Sequence, residues 1–165
     1  MLRGSFSHFL PIKHSVGEAL ILEHFRTCYS NMDEIFAQPG LSMAERIMVY
    51  WTGWREQHLA CGFQGCCVAV KLGAEVSDLS ETMRGALAQG TTGLISRLTV
   101  AIERGVADGS VSISKPSGQI AESLYSLWLG ASVMARIERS DHPFGTALLT
   151  TRRMLGILVR NAIAG

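Results

Sequence analysis

The sequence predicts an all-α protein built around one core. Three observations carry this. Apolar residues recur at steps of three and four through nearly every segment, the spacing of a helix face. Residues that start and stop helices punctuate those segments at helix-length intervals. The chain has 165 residues, 47% of them hydrophobic, enough for one domain with a full core.

The elements follow in order. GSFSHF, residues 4–9, reads as the last turn of a helix closed by Pro11. A long amphipathic helix then runs from Val16 to Phe36, with apolar residues at Val16, Ala19, Leu22, Phe25, Tyr29, Met32 and Phe36. Gln38-Pro39-Gly40 stops it. Ser42 and Glu45 form a capping-box pair, a hydroxyl three residues ahead of a carboxylate, and open a second helix that reaches Ala60. Gly62 and Gly65 bracket a short loop. GCCVAVKLGAEV makes a compact apolar helix closing near Ser77-Asp78, and Asp78 or Ser80 caps the next, which continues to about Gly105. ADGSVSISKPSG is the one long loop, with a turn at Asp108-Gly109 and a new start after Pro116.

Two helices end the chain, Gln119–Arg139 and Pro143–Ala162. In the first, Ile120, Leu124, Leu127, Trp128, Ala131 and Met134 make one apolar face, while Tyr125, Leu129 and Val133 lie on the other side. A helix apolar all round must be buried all round. The final helix has its own stripe, Phe144, Leu148, Thr151, Leu155, Leu158 and Ala162. The pair is expected to meet its copy in a second chain as a four-helix bundle across a two-fold axis.

Composition removes several function classes. The net charge is +1 and the pI about 7.7, so no overall field points to nucleic acid or a membrane. The longest uncharged stretch of the apolar C-terminal half, Ser123 to Ala135, is shorter than the roughly 20 residues a bilayer requires. No signal peptide is legible, and the four cysteines follow no secreted pattern, so a cytoplasmic chain with free thiols is expected. His58, Cys61, Cys66 and Cys67 fit no common zinc spacing, and neither metal nor cofactor is expected.

GSFSHFLPIKHSVGEAL resembles the end of the helix-turn-helix of TetR-family transcriptional regulators, where such a stretch closes the recognition helix and opens the next. CCVAVKLGAEVSDLSETMRGAL and LYSLWLGASVMARIERS resemble the core and penultimate helix of one branch, that of the N-ethylmaleimide reductase repressors. VKLGAEVSDLSE is the most specific part. The resemblance implies that residues 1–12 are a remnant of the DNA-binding domain and that 13–165 form the ligand-binding and dimerisation domain. Against the family pattern, Ser7 replaces a tyrosine and His14 a glutamate. Of the family's usual phosphate-contacting pair only Lys13 stays, with His8 beside it as a second DNA-contact candidate.

Trp51, Trp54, Arg55 and His58 stand on neighbouring turns of the second helix. Aromatic walls with a few polar groups line small-molecule pockets. The family places its ligand cavity among the central helices, where Tyr125 and Trp128 can face it too. Cys67 follows Gly65 at a helix start, where the helix dipole favours a thiolate. The resemblance places a cysteine there and a cation at Arg136, which together make a sensor of electrophiles or oxidants. Cys28, mid-helix, is expected to be inert. The expected function is a ligand-responsive transcriptional repressor, not an enzyme. It acts as a homodimer, its effector a small molecule or electrophile. DNA binding is lost from this chain, although an intact family member would bind operator DNA. The alternatives are a dimeric small-molecule-binding protein that no longer reads DNA, and, last, a thiol oxidoreductase using Cys66 or Cys67.

Overall fold

The computed structural model describes residues 6–62 and 68–157, with the backbone alone at 6–14, 74 and 76–79. Among these residues it is all helical: α1 (Phe6–Phe36), α2 (Met43–Ala60), α3 (Val68–Leu79), α4 (Glu81–Ala107), α5 (Ser117–Glu138) and α6 (His142–Met154).

α1 corrects the expected break at Pro11, since it runs unbroken for 31 residues. A proline fixes φ at a helical value and forfeits one hydrogen bond, here to the Ser7 carbonyl in the opening turn. The buried face of α1 is Ile21, Phe25, Met32 and Phe36, whereas Val16 and Leu20 stay exposed. The deeply buried part of α1 therefore begins at Ile21, although Gly17 already stands close to the Met83 side chain of α4. There α1 packs against α4 at close range. An added Cβ at Gly90 would lie 2.0 Å from the Phe25 ring, and one at Gly93 2.2 Å from the Tyr29 hydroxyl oxygen. That hydroxyl donates to the Gly90 carbonyl at 2.9 Å. The Arg97 guanidinium sits 4.0 Å over the Tyr29 ring and bonds Asp33 at 3.1 Å, closing the seam on its outer side.

The capping box of α2 is present as expected: Glu45 accepts from the Ser42 backbone at 2.7 Å, and Ser42 Oγ accepts from Glu45 N at 3.3 Å. Two further donors of that first turn are taken by the loop after α4. Met43 N–H donates to Asp108 Oδ2 at 2.9 Å and Ala44 N–H to Ser110 Oγ at 3.0 Å. Bonds from Ser110 and from the Met43 backbone hold the Asp108 carboxyl below its usual pKa. Of the two caps expected for α4, Ser80 is used; Asp78 falls inside α3.

α6 is shorter than the 143–162 expected. Gly156 adopts φ +61°, Gly156 N–H donates to Arg153 O and Ile157 N–H to Arg152 O at 2.9 Å, a left-handed stop after Met154. Leu158 and Ala162 of the expected stripe lie outside the described residues. The core centres on Trp51, Trp128 and Phe144, all fully buried. Tyr125 belongs to it as well, at 4% exposure, rather than to the opposite face of its helix. Among the residues left exposed are Gly130, Val133, Met134 and Ile137 on α5 and Gly145 and Leu149 on α6.

Candidate functional site

α2 carries the aromatic residues because three of its faces meet different neighbours. Trp51 points inward and stacks on Trp128 with ring centroids 4.7 Å apart and 11° between planes. Trp128 continues onto Phe144 at 5.9 Å and donates its Nε1–H to Thr151 Oγ1 at 3.0 Å. Both tryptophans are fully buried pillars of the core, not walls of a cavity. The Trp51 Nε1–H has no hydrogen-bond partner.

Trp54 and His58, one turn apart, stack at 5.6 Å and 14°. Trp54 Nε1–H donates to Ser132 Oγ at 3.0 Å, and its ring meets Tyr125 edge-on. His58 is 3% exposed, and its Nδ1 lies 2.9 Å from the Trp54 carbonyl, to which it donates as Nδ1–H. That leaves Nε2 as a lone-pair acceptor, and it has no partner. Burial lowers the His58 pKa, against a smaller opposing pull from the Trp54 carbonyl. The imidazole is neutral near pH 7.

Arg55 does not face a cavity. It forms a two-pronged pair with Asp141, Nε to Oδ1 at 2.7 Å and Nη2 to Oδ2, tying α2 to the turn between α5 and α6. The bond from Arg55 holds the Asp141 carboxyl below its usual range.

The open space lies on the far side of α2. A groove of about 1780 Å³ follows α2 between α1 and the end of α6. Trp54 and His58 line it, with Met48 and Gln57 on α2 and His24 and Cys28 on α1. Trp51, Arg55, Tyr125 and Trp128 do not line it. Arg136 is exposed on α5, away from the groove. Cys67 lies outside the described residues, as do the side chains of His8 and Lys13. Cys61, expected as a thiol, is disulfide-bonded. Cys28 is a half-buried thiol with Sγ 3.4 Å from His24 Nε2. Sequence reasoning passed over this pair, although a histidine and a cysteine four apart on one helix share a face.

Residues 43–151 match the family described as tetracyclin repressor-like, C-terminal domain. The match begins at the first residue of α2 and takes in α2 to α5 and most of α6. The HTH-type transcriptional repressor NemR of Escherichia coli K12 is 33% identical over 153 residues, 93% of this chain and 77% of that relative. This chain belongs to the TetR family. The crystal structure of the reduced form of E. coli NemR agrees in fold at a TM-score of 0.79 with 35% identity, covering 93% of this chain and 79% of that one. The regulatory protein TetR from Rhodobacter sphaeroides gives a TM-score of 0.80 at 25% identity, covering 92% and 80%. The transcriptional regulator AcuR of Cereibacter sphaeroides is 29% identical over 143 residues, 86% of this chain and 64% of that relative. These relatives are named as regulators, not enzymes, and the chain is a TetR-family transcriptional regulator. No described helix of this TetR-family chain is long and apolar enough to cross a membrane, and no three described His, Cys, Asp or Glu residues group as a metal site.

Proposed function

We propose that this chain is the effector-binding and dimerisation part of a cytoplasmic, non-enzymatic repressor, with the groove along α2 as its effector seat. One observation carries the reading. His58 has a buried, unpartnered Nε2 and stands beside Trp54 on a wall of a groove lined by both apolar and polar residues. Leaving such an acceptor unmade costs about 1–3 kcal/mol. A planar, mostly apolar effector that donates one hydrogen bond restores it. Occupancy acts on α2, and the Arg55–Asp141 pair carries that shift to the turn between α5 and α6.

Those two helices form the homodimer contact through Val133, Met134, Ile137 and Leu149, which are 42–69% exposed in the single chain. These 165 residues alone give no sequence-specific binding to duplex DNA. A helix-turn-helix needs one helix across the backbone and another seated in the groove, whereas α1 is a single long helix leading into the bundle. Non-specific, salt-sensitive contact from Lys13 and nearby charges is the most expected. The branch resemblance keeps Cys67 as an electrophile-sensing thiol and Arg136 as its cation.

The seat is tested by thermal melting with p-cresol and with 4-methylanisole, which matches it in shape but cannot donate. We expect p-cresol alone to raise the Tm, and the gain to vanish in His58→Phe. Equal shifts from both compounds would remove the role given to His58. A gel shift on promoter DNA that survives non-specific competitor would overturn the statement about DNA.

A further inference from the structure

We propose that the groove along α2 takes an amphipathic monocarboxylic acid with a hydroxyl at its far end, the carboxylate held by Arg152 and the hydroxyl by His58. The proposal rests on the reading of that groove as an effector seat and names the chemistry of the occupant. Arg152 is half-buried near the end of α6 and lines the groove. Other arginines of the bundle are committed: Arg55 to Asp141, Arg97 to Asp33 and the Tyr29 ring, Arg46 to the Phe36 carbonyl. The Arg152 side chain makes no ion pair or hydrogen bond among the described residues. Two carboxylates line the same groove, and neither holds it: Glu45 is bonded to Ser42, and Glu56 forms no ion pair with it. His58, 3% exposed and with an unpartnered Nε2, is the second point of attachment.

Helix direction sets the distance between the two points. The His58 ring meets Phe144 at the start of α6, with 5.4 Å between centroids. The end of α6 meets instead the loop that caps the start of α2: Ser112 N–H donates to the Leu155 carbonyl, and Ser110 Oγ accepts from Ala44 N–H. α6 is therefore antiparallel to α2. Arg152 lies about two turns past Phe144 on that helix, about 12 Å along its axis at a rise of about 1.5 Å per residue. Ile35, Met48, Val49, Leu94 and Ile157 supply apolar wall. A carboxylate pairs with a guanidinium through two parallel hydrogen bonds, which are stronger than bonds between neutral groups. A hydroxyl donates to His58 Nε2, whose Nδ1–H is already given to the Trp54 carbonyl. A chain of that length with these two ends leaves neither group unpaired, and 10-hydroxydecanoate is such a molecule.

The test is calorimetric titration of the full chain at pH 7 with 10-hydroxydecanoate, ionised there, and with 1,10-decanediol, which keeps the chain and the hydroxyl without the charge. The acid should bind the parent at least about tenfold tighter than the diol, and the ratio should fall to about one in Arg152→Gln. Arg153 shares the last turn of α6 but is exposed and does not line the groove. Arg153→Gln should therefore keep the parent ratio, which separates a bound carboxylate from the general effect of positive charge at a helix end. No binding of the acid, or equal affinity of the parent for acid and diol, overturns the proposal. An acid preference that survives Arg152→Gln, with helicity checked by circular dichroism, overturns it as well. Should p-cresol still raise the Tm through His58 in either case, the seat stands and only the acid falls; with no p-cresol shift, both fall. The parent comparison decides even where a variant fails to fold.

Discussion

Replacing Gly90 by alanine tests how tightly α1 and α4 are packed. The new Cβ would stand 2.0, 2.2 and 2.3 Å from three ring carbons of Phe25. Carbon atoms in ordinary contact are about 3.5 Å apart, so ring and helix must separate by about 1.5 Å. Phe25 is 2% exposed and has nowhere to swing. The helices must part instead, and parting them stretches the Tyr29 hydroxyl bond to the Gly90 carbonyl. Overpacking of this kind costs about 1–3 kcal/mol. The gain in helix propensity from glycine to alanine returns about 1 kcal/mol. The net loss is then up to about 2 kcal/mol, plus about 1 for a weakened hydrogen bond. The total is about 1–3 kcal/mol, and at about 2–4 °C per kcal/mol for a chain of this size the Tm should fall by roughly 2–12 °C. Gly85→Ala is the control, because an added Cβ at that position of the same helix meets nothing within 4 Å. It should hold or raise the Tm. Both are measured by circular dichroism at one fixed protein concentration, since a dimer's melting depends on it. A Gly90→Ala chain that melts with or above its parent would show that the seam is looser than described.

Thr151→Val keeps the shape of the core but strands the Trp128 N–H, which now bonds the threonine hydroxyl at 3.0 Å; a loss of about 1–3 kcal/mol in urea unfolding is expected. Asp141 has a folded pKa below its unfolded one, so the Arg55 pair stabilises the chain above the ordinary carboxylate range, and that part is lost as pH falls through the folded value. Because the pair is about one-third exposed, its share is at most about 1 kcal/mol. Asp141→Asn should therefore flatten the loss of stability as the pH falls below the ordinary carboxylate range, and an unchanged pH profile would count against the clamp. Ile137→Asp places a charge on the exposed stripe of α5 and should shift light scattering from dimer to monomer while leaving the helical signal intact.

Much of the fold was readable because its signals are local. Ser42 and Glu45 announce a helix start within four residues, and Asp108-Gly109 announces a turn. Pro11 misled because its penalty depends on depth within a helix, and here it falls close to the start. Tyr125 misled for a different reason. Apolar residues around a whole helix do not say which side meets the chain's own core, and Trp54 on a distant segment decides it. The site was less legible. Trp54 and His58 line the groove, but Arg55 between them is engaged by Asp141, 86 positions away. His24 and Cys28 were visible as a pair one turn apart, yet what raises them above two half-buried residues is the space beside them, which only packing creates.

The loop between α4 and α5 has a mechanical meaning beyond connection. Its first part bonds the opening turn of α2 through Asp108 and Ser110, and Ser112 N–H donates to the Leu155 carbonyl at the close of α6. Ser114, Lys115 and Pro116 are exposed. Residues 108–112 are thus a latch, 114–115 are slack, and Pro116 opens α5 by accepting from Ile120 N–H. A tag or a split point inserted at 114–115 leaves the bundle intact. The same insertion three residues earlier unfastens two helices at once, and amide exchange at Met43 and Ala44 would be the first place to see it.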